Sequence, residues 1–374
     1  MTKLMSSDAD DRIPTAGRAP INDLAAEKVL VRRLASHCQR YRDPDDRRAA
    51  FELAVTLVPF LVMLAVLVWL AAYAEPLLGN WRWVLLGLLA PVCAAFLVRL
   101  FAIQHDCGHG SFTSSRSANR LIGRLLSVFT FTPYTLWQKA HAVHHGSSGN
   151  LDKRGIGDID TRTVAEYEAM TAGQRLMYRI YRNPVALIAI GVPIYFLVMH
   201  RLPYNDAIPR AEAWRSAGGL NLALLAFYGG LVFVAGWAVM LAILPVVVMG
   251  AWVGGWLFYV QHQFEATRWD ADEAWDLHVA AFGGSSWYDL PTVAQWITGS
   301  IGLHHIHHLC SRVPFYRLQA CFDGSAELRA ASQNVRLTFW KSLACVNLAL
   351  WDEKQRRLVT FGEMRMQSAL QPAE

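Results

Sequence analysis

Residues 54–74 read AVTLVPFLVMLAVLVWLAAYA, a run without a single charged side chain. A helix needs about 20 such residues to cross a bilayer core of roughly 30 Å, so this run predicts a membrane span. Three more spans are predicted at residues 83–103, 220–238 and 240–260. The last two belong to one uncharged stretch, which as a single helix would reach about 60 Å. We therefore expect it to turn near Gly236 or a little beyond.

The composition also indicates an integral membrane protein. Of the 374 residues, 53% are hydrophobic and 17% are charged, which is too apolar for an ordinary soluble enzyme. Residues 1–20 have no apolar periodicity and are predicted to be a disordered tail without a secretory signal. Residues 21–374 are predicted to form one domain. The expected fold class is an all-α integral membrane protein with four transmembrane helices, interfacial helices and a cytosolic helical cap.

The predicted cap consists of residues 104–183 and 261–374. Two shorter apolar segments, 121–137 and 184–199, are expected to be interfacial or re-entrant. As a helix, 184–199 would reach only about 24 Å, which is marginal for a crossing. A fifth span there would also put the histidine clusters described below on opposite sides of the membrane. Arg99, near the end of the second span, is expected to extend its side chain to the interface.

The distribution of arginine predicts the orientation. Between residues 21 and 53 six arginines precede the first span (Arg32, Arg33, Arg40, Arg42, Arg47 and Arg48), whereas the loop at residues 75–80 has neither Lys nor Arg. The positive-inside rule places both termini and all the histidine clusters in the cytoplasm, at a bacterial cytoplasmic membrane. The net charge of +5 is explained by this topology. Nothing resembles a nucleic-acid recognition module, so no nucleic-acid partner is expected.

Three histidine clusters follow apolar stretches. They read His-Asp-Cys-Gly-His at residues 105–109, His-Ala-Val-His-His at 141–145 and His-His-Ile-His-His at 304–308. The imidazoles recur at i, i+3 or i, i+4, which places them on one face of a helix. Imidazole is the commonest metal ligand among the side chains. Three such clusters on one predicted side favour a metal site over unrelated structural histidines.

The number of imidazoles favours two ions, because one structural or catalytic zinc takes only three or four protein ligands. The candidate ligands are His105, His109, His141, His144, His145, His304, His307 and His308, with His262 nominated as a ninth. His305 points about 100° away from His304 and is expected to be a supporting or free residue. Few carboxylates lie among the clusters, which disfavours magnesium and calcium. Two iron ions (Fe2+/Fe3+) that activate O2 are the natural candidates.

Two aspartates are candidates for orienting the imidazoles. Asp106 stands between the two histidines of the first cluster, and Asp158 follows the second. A carboxylate that accepts the other N–H of a metal-binding imidazole fixes the ring. Asp160 is a similar candidate, although Asp158 and Asp160 equally fit a solvated turn. Cys107 is interpreted as a small packing residue, since the six cysteines contain no C-x-x-C pair.

These motifs resemble those of a known family. His-Asp-Cys-Gly-His-Gly, followed by His-x-x-His-His and a late second His-x-x-His-His, is similar to the histidine boxes of membrane fatty acid desaturases. The likeness covers most of residues 100–316 and is greatest to the Δ12 or omega-6 branch. It implies a diiron enzyme that removes two hydrogens from an acyl chain with O2 and two external electrons. It also implies the ligand role for the eight box histidines, with His262 similar to an additional family ligand.

The resemblance implies partners too. The substrate would be a fatty acyl lipid, an acyl-CoA or an acyl carrier protein, held at the lipid bilayer, and an external donor such as a ferredoxin would supply electrons. Lys139, Lys153 and Arg154 would attract an acidic donor or simply reflect positive-inside charge. An apolar slot for the acyl chain is expected between the spans and aromatic residues of the cap, namely Trp137, Trp287 and Tyr288.

Other functions share some of these features. A hydroxylase or carotenoid oxygenase of the same superfamily would use the same boxes. A histidine-lined metal transporter is a candidate of a different class. Transporter sites lie near the bilayer midplane in broken helices, whereas these clusters flank the apolar runs, so the sequence favours an enzyme.

Overall fold

The computed structural model describes residues 24–203 and 207–370, so the predicted tail at residues 1–20 lies outside the described part. The first half of the described chain is helical, with α1 (Leu24–Cys38), α2 (Asp46–Ala72), α3 (Glu75–Leu78), α4 (Trp81–His109), α5 (Arg116–Thr130) and α6 (Tyr134–Ser147). The chain then forms β1 (Arg162–Thr163), α7 (Val164–Ala169), α8 (Ala172–Tyr181), a π-helical segment (Val185–Gly191) and α9 (Val192–Leu197).

Two long helices form the next hairpin, α10 (Arg210–Ala235) and α11 (Ala238–His262). The remainder contains α12 (Leu277–Gly283), β2 (Trp287–Asp289), α13 (Thr292–Ile297), α14 (His304–Leu309), α15 (Phe315–Asp323), α16 (Ala326–Ser332), β3 (Arg336–Thr338), α17 (Phe339–Ser342), β4 (Leu348–Asp352), β5 (Arg357–Thr360) and α18 (Phe361–Leu370). Gly236 ends α10 with a positive φ of 73°, a backbone conformation that glycine adopts without strain. The turn therefore lies where the sequence predicts it.

Four helices in the described part of the chain are long and apolar enough to cross a membrane, namely α2, α4, α10 and α11. The four predicted spans are thus confirmed as long apolar helices. Helix α4 packs against both α2 and α11, which also contact each other. The approach to α11 is close, because a Cβ on Gly250 would lie 2.9 Å from Leu97 Cδ2. Glycine at this position lets the two backbones come together.

The two shorter apolar segments adopt bent arrangements. In the first, α5 and α6 form a hairpin with Phe131 in the left-handed region at its turn. The Phe129 ring contacts Phe60 of α2 at 5.2 Å, and Phe131 stacks on Tyr228 of α10 at 5.2 Å. The tip of this hairpin therefore lies among the long helices, which fits a re-entrant segment. In the second, α8 and the segment Val185–Arg201 bend by 52° as a broken span or a re-entrant loop.

Arg99 differs from the sequence expectation. Its side chain is 2% exposed, and that of Glu52 in α2 is 1% exposed. The guanidinium pairs with the Glu52 carboxylate, donates to Thr56 Oγ1 at 3.1 Å and donates to the Trp296 carbonyl. The prediction that Arg99 reaches the interface is wrong, because partners inside the protein satisfy the charge.

Two small sheets join distant parts of the cap. Strand β4 pairs in parallel with β1 and antiparallel with β5, while β2 pairs in parallel with β3. The sequence interpretation did not include these short strands. They fasten the C-terminal segment to the regions that follow the second histidine cluster and precede the third.

Candidate metal centre

Four helices deliver the nine candidate histidines to one place. Helix α4 ends with the first cluster, α6 carries the second, α11 ends at His262 and α14 carries the third. Because i, i+4 spacing aligns side chains on one helix face, each cluster presents its rings in the same direction. The helices bring those faces together, and the rings form two adjoining groups.

The larger group contains His105, His109, His141, His145 and His307; each ring offers one nitrogen, and these five atoms all lie within 4.8 Å of one another. The Nε2 atom of His141 is 2.9 Å from that of His105 and 3.1 Å from that of His145. The Nε2 atoms of His307 and His145 are 3.2 Å apart. The Nε2 atoms of these rings thus converge on a common point.

The smaller group contains His144, His262 and His308, whose ring nitrogens also lie within 4.8 Å of one another. His304 adjoins it, since its Nε2 atom is 3.0 Å from His262 Nε2. The two groups meet where the rings of His145 and His308 stack with centroids 4.0 Å apart. All nine sequence-nominated histidines are therefore brought together.

The electrostatics of the site suit a metal ion. Burial lowers the pKa values of His141, His145, His304, His307 and His308 well below the usual histidine range, and the neighbouring imidazoles lower them further. These rings are neutral at pH 7 and keep lone pairs for coordination. His109 Nε2 and both ring nitrogens of His308 are buried without a hydrogen-bond partner among the described residues. Buried polar atoms normally have partners, and a metal would provide them.

Hydrogen bonds at Nδ1 fix the orientation of two histidine rings. His144 Nδ1 lies 2.7 Å from Asp158 Oδ1, and His262 Nδ1 lies 3.1 Å from the Gly284 carbonyl oxygen. A carboxylate and a carbonyl accept hydrogen bonds, so each ring donates through Nδ1 and turns Nε2 toward its neighbours. Asp158 thus lies where the sequence analysis expected it. The Gly284 contact was missed, because a backbone carbonyl leaves no sequence signal.

The remaining candidates lie around the cluster. Asp106 Oδ1 is 3.6 Å from His105 Nδ1, while Oδ2 accepts from the Phe315 backbone N–H at 2.6 Å. Asp106 therefore also anchors the start of α15. Asp160 pairs with Arg162.

Two further residues of the boxes face away from the converging nitrogens. Cys107 is buried in the apolar core. His305 faces Ser332, with Nε2 2.8 Å from Ser332 Oγ, and burial lowers its pKa to about 3.

An apolar cleft lies between the long helices beside the cluster. Its walls are Leu97, Val98, Phe101, Phe129, Thr130, Phe196, Val247, Gly250, Ala251 and Gly254. Phe101 meets the Trp137 ring at 5.5 Å, and Trp137 stacks on His141 at 4.8 Å. The aromatic pair therefore connects the cleft with the larger histidine group. Trp287 and Tyr288 contact Phe322 and Ser342 instead and do not line this cleft.

The proposed basic face is largely neutralised within the protein. Lys153 pairs with Asp272 at 2.7 Å, and Arg154 pairs with Glu166. Lys139 is exposed on α6. Of the three residues, only Lys139 therefore presents a cation without an ion pair in the described part of the chain.

Comparison with known proteins identifies the family. The family model described as fatty acid desaturase matches residues 80–341. The chain is similar to a fatty acid desaturase of Bacillus subtilis, with 37% identity over 337 residues that cover 90% of this chain and 91% of that protein. It is 24% identical over 318 residues to an sn-1 oleoyl-lipid 12-desaturase of Synechocystis sp., with 82% of each chain covered.

A second Synechocystis relative is an sn-1 acyl-lipid omega-3 desaturase (ferredoxin). It is 29% identical over 245 residues, which cover 59% of this chain and 61% of that protein. The family match spans all three histidine clusters. Of the four long helices it includes α4, α10 and α11, and it begins after α2. The chain is therefore a membrane oxidoreductase that belongs to the fatty acid desaturase family.

Proposed function

We propose that the enzyme inserts a cis double bond toward the methyl end of a fatty acyl chain, as Δ12 or omega-6 desaturases do. The observation that carries the proposal is an apolar cleft that the Phe101–Trp137 ring pair links to nine converging imidazoles. The cleft suits a hydrocarbon chain, which has no charge by which to be held. Similarity to an oleoyl-lipid 12-desaturase supports the bond position.

The larger histidine group would hold one iron ion, and the smaller group with His304 would hold the other. Bound iron would supply O2 activation and attack on an unactivated C–H bond, which no amino-acid side chain can perform. Asp158 and the Gly284 carbonyl keep His144 and His262 in the orientation that such ligands need. Asp106 fixes the position of α15 against the first box.

Phe101 and Trp137 complete the site on the lipid side. Their edge-to-face contact lies between the cleft and His141. In this position the two rings align a methylene group beside the cluster and exclude water from it. Holding the reacting atoms close to the catalytic group is itself a large part of catalysis.

The remaining parts of the proposal concern partners and topology. Electrons would come from a ferredoxin, the donor of the Synechocystis omega-3 desaturase (ferredoxin), and the acyl chain would be carried on a lipid. Residues 21–374 would act as one desaturase domain. The termini and the histidine cluster would face the cytoplasm, because the arginine-rich segment before α2 follows the positive-inside rule.

Acyl-chain profiling tests the reaction. The chain is expressed in a host without Δ12 desaturation that is fed saturated and monounsaturated fatty acids, and the products are located by mass spectrometry of derivatised double bonds. We expect dienoic acids with the new bond at Δ12. Hydroxy acids or ketocarotenoids would contradict desaturation, and a new bond at another carbon would contradict the Δ12 assignment alone. Metal analysis of the purified protein should find near two irons per chain.

A further inference from the structure

Helix α5 is held in a fixed rotational position. One face is buried against neighbouring helices and consists of Asn119, Gly123, Leu126, Ser127 and Thr130. The side-chain amide of Gln104 in α4 donates to the Gly123 carbonyl and lies 2.9 Å from Ser127 Oγ. A Cβ on Gly123 would lie 2.1 Å from the Tyr134 ring, so α6 also packs directly on the α5 backbone. These contacts with α4 and α6 leave the opposite side of α5 facing away from the protein.

A row of arginines runs along the flank of the helix, between the buried side and the outward side. Arg116, Arg120 and Arg124 are all exposed, and their four-residue spacing places them about 6 Å apart along the helix. Within the described chain none of the three makes an ion pair. Leu121 and Leu125, which are 60% and 61% exposed, form the adjoining row. We call the three arginines the α5 arginine row.

The row lies between the end of a long helix and the apolar cleft. Just before α5, the Ser114 backbone N–H donates to Asp46 at the start of α2. At the other end of α5, Phe129 and Thr130 line the cleft. Cationic side chains beside outward-facing leucines are typical of a helix that lies in the headgroup region of a bilayer.

We infer that the α5 arginine row binds the phosphate of a glycerophospholipid, whose acyl chain then enters the cleft at Phe129 and Thr130. Guanidinium groups bind phosphate through paired, charge-assisted hydrogen bonds. The adjoining leucines favour a ligand that is already in the bilayer over a water-soluble thioester carrier. The inference rests on the proposed function only for the fate of the acyl chain. Phosphate recognition is a separate property of α5.

Lipid binding tests the inference directly. Detergent-purified full-length protein is titrated with phosphatidylglycerol or with diacylglycerol of the same acyl composition, and bound lipid is counted by native mass spectrometry. The variant R116Q/R120Q/R124Q is compared with R40Q/R47Q/R312Q, which removes the same charge from other exposed arginines. Each cationic side chain near a lipid surface contributes about 1 kcal/mol, or roughly fivefold in affinity. We expect the α5 variant to bind phosphatidylglycerol at least tenfold more weakly and the control variant less than twofold more weakly.

Several results would overturn the inference. They are equal weakening in both triple variants, unchanged binding in the α5 variant, or diacylglycerol binding to the wild type as tightly as phosphatidylglycerol. If the α5 triple variant is not recovered folded, the single variant Arg120→Gln decides, with an expected three- to fivefold loss. Desaturation is measured separately on wild-type protein. A wild type that makes no product would count against the proposed function, while the binding ratio would still decide whether the headgroup site exists.

Discussion

Two buried polar clusters lie along helix α4, and they satisfy their polar atoms in different ways. At Arg99, the guanidinium is matched by Glu52, Thr56 and the Trp296 carbonyl. His105 lies about 9 Å further along the helix and begins a cluster in which ring nitrogens face one another. Several of these buried nitrogens have no hydrogen-bond partner among the described residues. The first cluster is complete within the protein, whereas the second needs something that the chain does not provide.

The comparison separates a structural cluster from a functional one. Both are buried at the same end of the same helix, so burial alone does not distinguish them. A closed ion pair joins α2, α4 and the segment around Trp296, and its loss should affect folding. A set of neutral donors that converge on one point has no such structural benefit without a metal, and its loss should affect chemistry.

The largest effect is expected from a ligand substitution. His307→Ala should abolish desaturation and lower the iron content, because His307 Nε2 lies among the converging nitrogens of the larger group. Product is measured by acyl-chain profiling and iron by elemental analysis of the purified variant. His278→Ala, which changes a histidine outside both groups, serves as the control and should leave both values unchanged. Full turnover in His307→Ala would refute the assignment of this cluster as the reaction centre.

The closed pair should show the opposite behaviour. Glu52→Gln leaves Arg99 buried without its countercharge, and breaking a buried pair by removing one partner costs about 3–5 kcal/mol. We expect a much lower free energy of unfolding in detergent, with normal iron content in the fraction that remains folded. Glu75→Gln removes an exposed carboxylate that pairs with Arg82 and should change stability by less than about 1 kcal/mol. Normal stability of Glu52→Gln would remove the contrast between the two clusters.

Substitution of Asp158, which accepts a hydrogen bond from His144, should have an intermediate effect. Asp158→Asn keeps the shape but weakens the acceptor for His144 Nδ1, and loss of such an outer partner typically costs 10–100-fold in metal affinity or activity. Competition with a chelator measures iron affinity. Asp160→Asn is the matched control, because Asp160 pairs with Arg162 instead. Equal effects of the two substitutions would show that Asp158 does not act through His144.

The histidine cluster should also make the metal-free protein sensitive to acid. Burial lowers the pKa values of His304, His307 and His308 in the folded state, whereas in the unfolded chain they titrate near 6.5. The unfolded state therefore binds more protons as pH falls below about 6.5, and each such histidine costs about 1.4 kcal/mol of stability per pH unit. The Tm of metal-free protein should fall between pH 7 and 5.

A variant that lacks one of these histidines tests whether they cause the acid sensitivity. Metal-free His307→Ala should lose stability less steeply with falling pH than the metal-free wild type, by about one proton per unfolding event. Identical slopes in the two proteins would assign the acid sensitivity to other groups.

The smallest effect is expected at His305. Its Nε2 contacts Ser332 Oγ and points away from the two groups, so His305→Gln should retain both irons and most of the activity. A loss of iron as large as that in His307→Ala would mean that the third box binds metal through His305 rather than His304.

The sequence was most informative where a periodic pattern coincides with a physical requirement. Uncharged runs predicted the four long helices, and helical spacing placed the histidines on common faces. Arg99 was misjudged because its partner Glu52 lies 47 positions earlier in the chain, and a single sequence shows no link between them. The Gly284 carbonyl and the short strand pairs were missed for a similar reason, since they depend on tertiary contacts between backbone groups.

The predicted slot for an acyl chain shows the same limit. Trp137 was expected in its wall and adjoins the cleft through Phe101, whereas Trp287 and Tyr288 pack elsewhere in the cap. Aromatic composition gave no way to distinguish these residues. Their different environments depend on the α5–α6 hairpin, whose depth among the long helices is set by contacts such as Phe129 with Phe60.

The order of the histidines along the chain has a consequence for biosynthesis. The third cluster lies in α14, beyond the last of the long helices, so a ribosome has translated most of the protein before the centre has all its members. Neither membrane hairpin alone contains a complete donor group, because the larger group includes His307 and the smaller group includes His308. Both donor groups therefore become complete only after both hairpins have been translated, and a chain that stops before residue 304 would lack the third cluster.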